Sequence, residues 1–325
     1  MAGKLSIIFA IAGTVIGPGL LSGKELVVFF SRFGLWSYLG IFCLLFFFYF
    51  LFKFLLGLSS KTVEKILSSR LFLLLNCVVY VIFSSAMFAS LQESLSISTP
   101  FKIIVFFVIF ALCSVVLKKG VKTFGRLSNF LVPISTIVFI FLLVANLKFD
   151  LSFSNAILPF PALFYSLLYC TLNASNSCVL VASLGQKLSQ KEKARVAFFA
   201  ALLLVLILFF ANTVLLENQD SLTLAMPFLT ILHSWQKTAL ELLIFLGSLT
   251  TLFSLVCNFH ILLGKRKGFS LFFFSIILPF ALSFAGFDFI VTFLEPVASA
   301  ISLLLLAIML KENFSNKALS KGGNL

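Results

Sequence analysis

Apolar residues run through this chain in long stretches separated by short hydrophilic breaks, a pattern that points to membrane-crossing helices. A crossing takes about 20 residues at the rise of an α-helix. On that measure the pattern divides into ten spans, at 4–31, 34–56, 70–96, 100–117, 128–147, 157–184, 194–216, 224–263, 268–285 and 289–310. Two of them are interrupted. In the first, Gly13-Thr14-Val15-Ile16-Gly17-Pro18-Gly19 places three glycines and a proline inside seven residues, poor helix material because Gly is floppy and Pro has no N–H. In the sixth, Tyr169, Thr171, Asn173, Ser175 and Asn176 gather hydrogen-bonding side chains at mid-membrane depth. Freed backbone groups in hydrocarbon must find partners inside the protein or in a wet cavity. An interrupted span is therefore either a packing kink or the wall of a site.

The interruptions fall in order. The chain divides near Asp150 into halves of five spans each, about 1–150 and 151–311, followed by a short tail, 312–325, with the whole of 1–325 forming one transmembrane domain. Five is odd, so the second half enters from the opposite side and any repeat is inverted. The first span of each half carries the break and the third is long. Matching interruptions in corresponding segments point to a transport site near the midplane. The expected fold is thus an all-α polytopic membrane protein with ten transmembrane helices in a 5+5 inverted repeat, helices 1 and 6 broken.

Composition agrees with that class, since 61% of residues are hydrophobic and only 11% charged, far from the balance of a soluble domain. The net charge of +13 raises the question of nucleic acid, but the basic residues lie where topology wants them. With the N-terminus inside, nineteen of the 24 fall on cytoplasmic loops and ends, in clusters such as Lys118, Lys119, Lys122 and Arg126. The positive-inside rule then puts both termini in the cytoplasm of a multi-pass cell-membrane protein and leaves no nucleic-acid partner. The segment from Lys4 to Gly13 fits the span count better than a cleaved signal peptide. Six cysteines, Cys43, Cys77, Cys113, Cys170, Cys178 and Cys257, all lie within spans without metal-ligand spacing; they read as buried free thiols.

Several spans carry candidate chemistry. Thr250 and Ser254 are four residues apart and share a helical face. Their hydroxyls could join carbonyls of the first-span break in an oxygen cage for a hard cation such as Na⁺, or simply bond a neighbouring helix at a close crossing near Gly247. Glu25, in the outer half of the first span, and Glu295, followed by Pro296 inside the tenth, are ionisable groups near membrane depth and hence candidates for gating or coupling. Lys24 does not share a helical face with Glu25. Tyr80 and Asn76 are four apart in the third span, where Tyr80 could cap a bound solute. His233 and His260 read as interfacial. No phosphate loop, Ser/His/Asp set or His/Cys cluster suggests an enzyme.

The stretch from Ala12 to Glu25, the Tyr169–Asn173 segment and Leu249-Thr250-Thr251-Leu252-Phe253-Ser254 together resemble the YkvI-like membrane proteins of the amino acid–polyamine–organocation transporter superfamily. The resemblance implies the five-plus-five fold of the amino acid transporter LeuT. It implies a substrate site between the broken helices, lined here by Gly17, Gly19, Tyr169, Asn173 and Asn176, with Tyr80 on the flanking third helix. Helix N-termini would meet an anionic group of the substrate. In sodium-coupled branches the matching ion site would use the carbonyls of Gly13, Ile16 and Gly247 and the hydroxyls of Thr250 and Thr251. The expected function is secondary active transport of an amino acid or similar small amine-bearing solute, by alternating access and coupled to Na⁺ or H⁺. A ligand-sensing membrane receptor on the same fold, as in spore germinant receptors, is the alternative.

Overall fold

A computed structural model describes residues 2–94, 101–104, 106–109, 111, 121–148, 159–186, 188–263 and 269–322. Among them the chain is entirely helical. The elements are α1 (Ala2–Val15), α2 (Pro18–Ser22), α3 (Lys24–Phe29), α4 (Trp36–Gly57), α5 (Ser60–Ser68), α6 (Arg70–Ser94), α7 (Val121–Ala145), α8 (Pro159–Gly185), α9 (Gln190–Glu217), α10 (Pro227–Ile231), α11 (Trp235–Leu263), α12 (Phe269–Ser283), α13 (Phe287–Phe289) and α14 (Glu295–Gly322).

Among the described residues six helical stretches are long and apolar enough to cross a membrane: Trp36–Gly57, Arg70–Ser94, Pro159–Gly185, Gln190–Glu217, Trp235–Val256 and Phe287–Ser315. Helix α4 shows why the surrounding solvent is lipid. Phe42, Phe46 and Phe50 recur every four residues on an exposed face, while Ile41, Leu44, Phe48 and Phe52 are buried on the other. A helix apolar all round belongs in hydrocarbon. The nine-residue α5 behaves differently. It buries Thr62 and Ile66, exposes Lys61 and Lys65, and is capped by Ser59, whose hydroxyl accepts from the Thr62 N–H at 3.2 Å.

Both ends of the chain lie at one end of the bundle. Lys4 on α1 pairs with Glu192 at the start of α9 (2.7 Å), and Lys65 on α5 pairs with Glu312 on α14 (2.7 Å). Gln186 donates to the Leu58 carbonyl at 2.8 Å and ties the end of α8 to the end of α4. Helices α4 and α8 approach closely because glycine sits at both ends of their contact. A Cβ on Gly40 would press on Ser166 and Ala162, and one on Gly185 would run into the backbone of Leu56. Small residues at crossings let backbones meet where lipid gives no hydrophobic drive.

The broken segment is the centre of the bundle. From Thr14 to Phe30 every residue is buried, enclosed by α6, α7, α8, α9 and α11.

Four features depart from the sequence reading. The sixth span is not broken: α8 runs unbroken from Pro159 to Gly185 through Tyr169, Asn173 and Asn176. Its polar side chains bond back to its own carbonyls, Asn173 to Tyr169 (3.0 Å), Ser175 to Leu172 (2.9 Å) and Ser177 to Asn173 (2.9 Å), and so leave the helix intact. The eighth span is divided: a turn at His233–Ser234 separates α10 from α11. The tail is not a loose end, since α14 continues to Gly322. The first break is also narrower than the glycines suggested, because α1 carries helix through Gly13 to Val15. Half of the fourth span, with Cys113, and the loop of Lys118 and Lys119 lie outside the described residues, as do the side chains of Cys257 and His260. Cys43, Cys77, Cys170 and Cys178 are free thiols.

Candidate functional site

Pro18 makes the break. It has no N–H to offer the Thr14 carbonyl, and the Gly17 N–H turns to the Val15 carbonyl (2.9 Å) instead of that of Gly13. Gly17 is extended (φ −106°, ψ −179°), and α2 restarts with Pro18 in its first position, where a missing donor costs least. After one turn Gly23 stops α2 in the left-handed region (φ 87°), its N–H bonding the Leu20 carbonyl at 3.1 Å. That conformation suits glycine alone. The short α3 then carries Glu25 back over α2, so closely that a Cβ on Gly19 would fall onto the Glu25 carboxyl. Gly19 is the floor beneath Glu25.

Glu295 joins Glu25 from the other side. It opens α14 directly after a π-helical turn, Ile290–Leu294, an irregularity frequent at functional sites. Glu25 and Glu295 are 1% and 0% exposed, and their carboxyls act on each other electrostatically. Glu25 Oε2 and both Glu295 carboxyl oxygens have no hydrogen-bond partner. Neither side chain enters an ion pair among the described residues.

Tyr169 completes the group. Phe29 and Phe30 hold its ring at centroid distances of 5.4 and 5.2 Å, and its hydroxyl faces Glu25, Glu295 and Asn173 without closing a well-formed hydrogen bond. Asn173 donates one amide hydrogen to the Tyr169 carbonyl, and its Oδ1 has no partner. Thr251 Oγ1 is also unpartnered, and a Cβ on Gly17 would stand 3.7 Å from it. Buried polar atoms are normally satisfied. Here five residues on α3, α8, α11 and α14 leave unsatisfied oxygens around one break.

The sequence-derived residues therefore separate into levels. Gly17, Gly19, Glu25, Tyr169, Asn173, Thr251 and Glu295 belong to the region of the break. Tyr80 and Asn176 line a cavity of about 10 Å³ with Asn76, Ser175 and Cys178, room for about one water molecule. The Tyr80 ring is stacked on Phe259 at 4.2 Å and forms part of the wall of this small chamber.

The cation donors divide too. The Gly13 carbonyl loses its helical donor at the break, and Thr251 Oγ1 is free. The Thr250 hydroxyl donates to the carbonyls of Leu246 (2.9 Å) and Gly247 (3.1 Å) and keeps only its lone pairs. Gly247 is a packing residue, since a Cβ there would come within 2.7 Å of Leu21. Oxygen donors of this kind suit a hard monovalent cation, with Gly13, Ile16, Thr250 and Thr251 the residues that would hold it.

One partner escaped the sequence reading. Lys24, buried beside Glu25, turns away from it to Asp288 (2.5 Å) and to the Leu224 carbonyl (3.1 Å). Leu224 lines a polar basin of about 740 Å³ at the end of the bundle remote from the termini, together with Glu217, Asp220 and His233. Lys24 thus ties α3 to the turn before α10 and to α13. Asp288 follows Gly286, whose φ of 92° sets the turn into α13; an acidic residue just before a span was the available signal.

No protein-family model matches this sequence, and no curated protein matches it.

Proposed function

We propose that this membrane protein is a secondary active transporter of an amino acid or similar small amine-bearing solute, driven by a cation gradient through alternating access. The observation that carries the proposal is the set of unsatisfied oxygens around the break: Glu25, Glu295, Tyr169, Asn173 and Thr251. Orphaned buried oxygens are expensive for folding, and a ligand bearing N–H donors and positive charge supplies what they lack. The break supports the same reading, because Gly17 and Gly23 interrupt the most enclosed segment twice and give it two places to bend. Lys24, with Asp288 and Leu224, would be the latch on the basin side.

In this proposal the five-plus-five arrangement and the cytoplasmic placement of both termini follow the YkvI-like resemblance and the distribution of basic residues. The helix-end recognition implied by that resemblance has less to stand on. Helix α8 offers no broken end, and α2 begins with a proline that has no donor. The solute is held by side-chain acceptors more than by helix dipoles. A monovalent cation at Gly13, Ile16, Thr250 and Thr251 would supply positive charge that joins α1 to α11.

The test is uptake of labelled amines and amino acids into proteoliposomes, comparing wild type with Gly17→Leu and Asn173→Ala. A bulky side chain at Gly17 meets Thr251, and truncation at Asn173 removes an acceptor. Both variants are expected to lose at least tenfold in uptake at unchanged expression. Full uptake by both would refute the site.

A further inference from the structure

We propose that Glu25 and Glu295 form one cation-accepting pair at which the ammonium group of the solute displaces one of two carboxyl protons, so that the protein exchanges solute for protons. The inference rests on the transporter reading above and adds the mode of coupling.

The argument is one of donors and acceptors. Glu25 Oε2, both Glu295 oxygens and Asn173 Oδ1 can accept and are unpartnered. An ionised carboxylate and an amide oxygen have no hydrogen to give. The Tyr169 hydroxyl faces both carboxyls but has one hydrogen to give, too few for two carboxylates, and no charge. Two carboxylates cannot stay ionised together in an interior without a counter-charge. Among the described residues no counter-charge pairs with them. Lys24, on the same helix as Glu25, is bound to Asp288 and the Leu224 carbonyl.

The other titratable groups on surrounding elements face elsewhere. Glu93 on α6 is exposed, Glu217 on α9 lines the outer basin, and Asp288 holds Lys24. From α8 the pair meets the neutral Tyr169 hydroxyl, with Asn173 beside it.

A proton on the pair gives one carboxyl a hydrogen to share with its neighbour. A primary ammonium gives three N–H donors and one positive charge. Two protons neutralise the two carboxylates; an ammonium that takes the place of one of them leaves the pair neutral again, with the other carboxyl still protonated, and a further cation would enter a buried site with no charge left to meet it. When the ammonium arrives, one carboxyl proton passes to water on the side from which the solute entered. When the solute leaves, a proton from the opposite side replaces it. Atoms and charge balance at each step.

The test uses the purified full-length protein in detergent, weakly buffered at pH 7 with a soluble pH indicator. Ethylamine, 1,4-diaminobutane, glycine and NaCl, each adjusted to the same pH, are added separately, with thermal unfolding recorded in parallel. The expected result is that an amine which raises the unfolding temperature also releases about one proton per chain. The double variant Glu25→Gln/Glu295→Gln should abolish the release, while the exposed Glu93→Gln retains it. The double variant is expected to unfold cooperatively, which separates loss of the pair from loss of fold. Stabilisation by an amine without proton release, or release that survives both substitutions, would overturn the exchange mechanism and leave the transporter reading standing. Release by NaCl as strongly as by any amine would assign the pair to an inorganic cation and overturn it too. If none of the four additions stabilises the protein, the amine-transporter reading fails with it.

Discussion

Replacing Glu295 by Met should make the ligand-free protein more stable and leave it unable to bind an amine. Glu295 is fully buried and leaves both carboxyl oxygens without a hydrogen bond. An unsatisfied buried polar group costs about 1–3 kcal/mol, and removing a charge-bearing one in favour of a packed apolar side chain is often neutral to stabilising. Met matches Glu in length and adapts to irregular gaps, so the repacking term stays small. The expected gain is therefore about 1–3 kcal/mol. At roughly 2 °C per kcal/mol for a long chain, that is a rise of roughly 2–6 °C in unfolding temperature. Intrinsic fluorescence from Trp36 and Trp235 can follow unfolding in detergent at one fixed scan rate, because membrane proteins seldom unfold reversibly. Any stabilisation by added amine should disappear in the same samples. A fall of several degrees in Glu295→Met would refute the reasoning, for it would mean that Glu295 already has a strong partner in the empty protein. Stability gained with function lost marks a site held in a costly arrangement.

Other substitutions probe the elements around the pair. Gly19→Ala places a methyl group where the Glu25 carboxyl lies, so it should displace Glu25 and abolish amine-induced stabilisation with little loss of helix content by circular dichroism. Gly185→Ala drives a methyl into the backbone of Leu56; overpacking of this kind costs about 1–3 kcal/mol, visible as a lower unfolding temperature. Lys24→Met removes the tie to Asp288 and the Leu224 carbonyl, and hydrogen exchange across 219–231 should quicken while that of α8 does not change.

Much of the architecture was legible in the chain. The run lengths of apolar residues announced a helical membrane protein, because a bilayer demands about 20 residues per crossing and full backbone satisfaction. Pro18 between two glycines announced the first break, since a missing N–H cannot be repaired by packing. Glu25 and Glu295 were visible as ionisable residues in apolar surroundings, where charge is seldom present without a use.

What the chain could not show is which partners its polar groups would choose. Asn173, Ser175 and Ser177 look like helix breakers in sequence, yet each turns its hydrogen back to a carbonyl of α8, and the helix persists. Tyr80 and Asn176 share the vocabulary of the break but line a small cavity with Asn76 and Cys178. Lys24 adjoins Glu25 in the chain and pairs instead with Asp288, more than 260 residues away. The meeting of Glu25 with Glu295 is of the same kind: local propensity determines where a helix starts and stops, whereas the company a buried charge keeps is decided by the packing of helices distant in the chain.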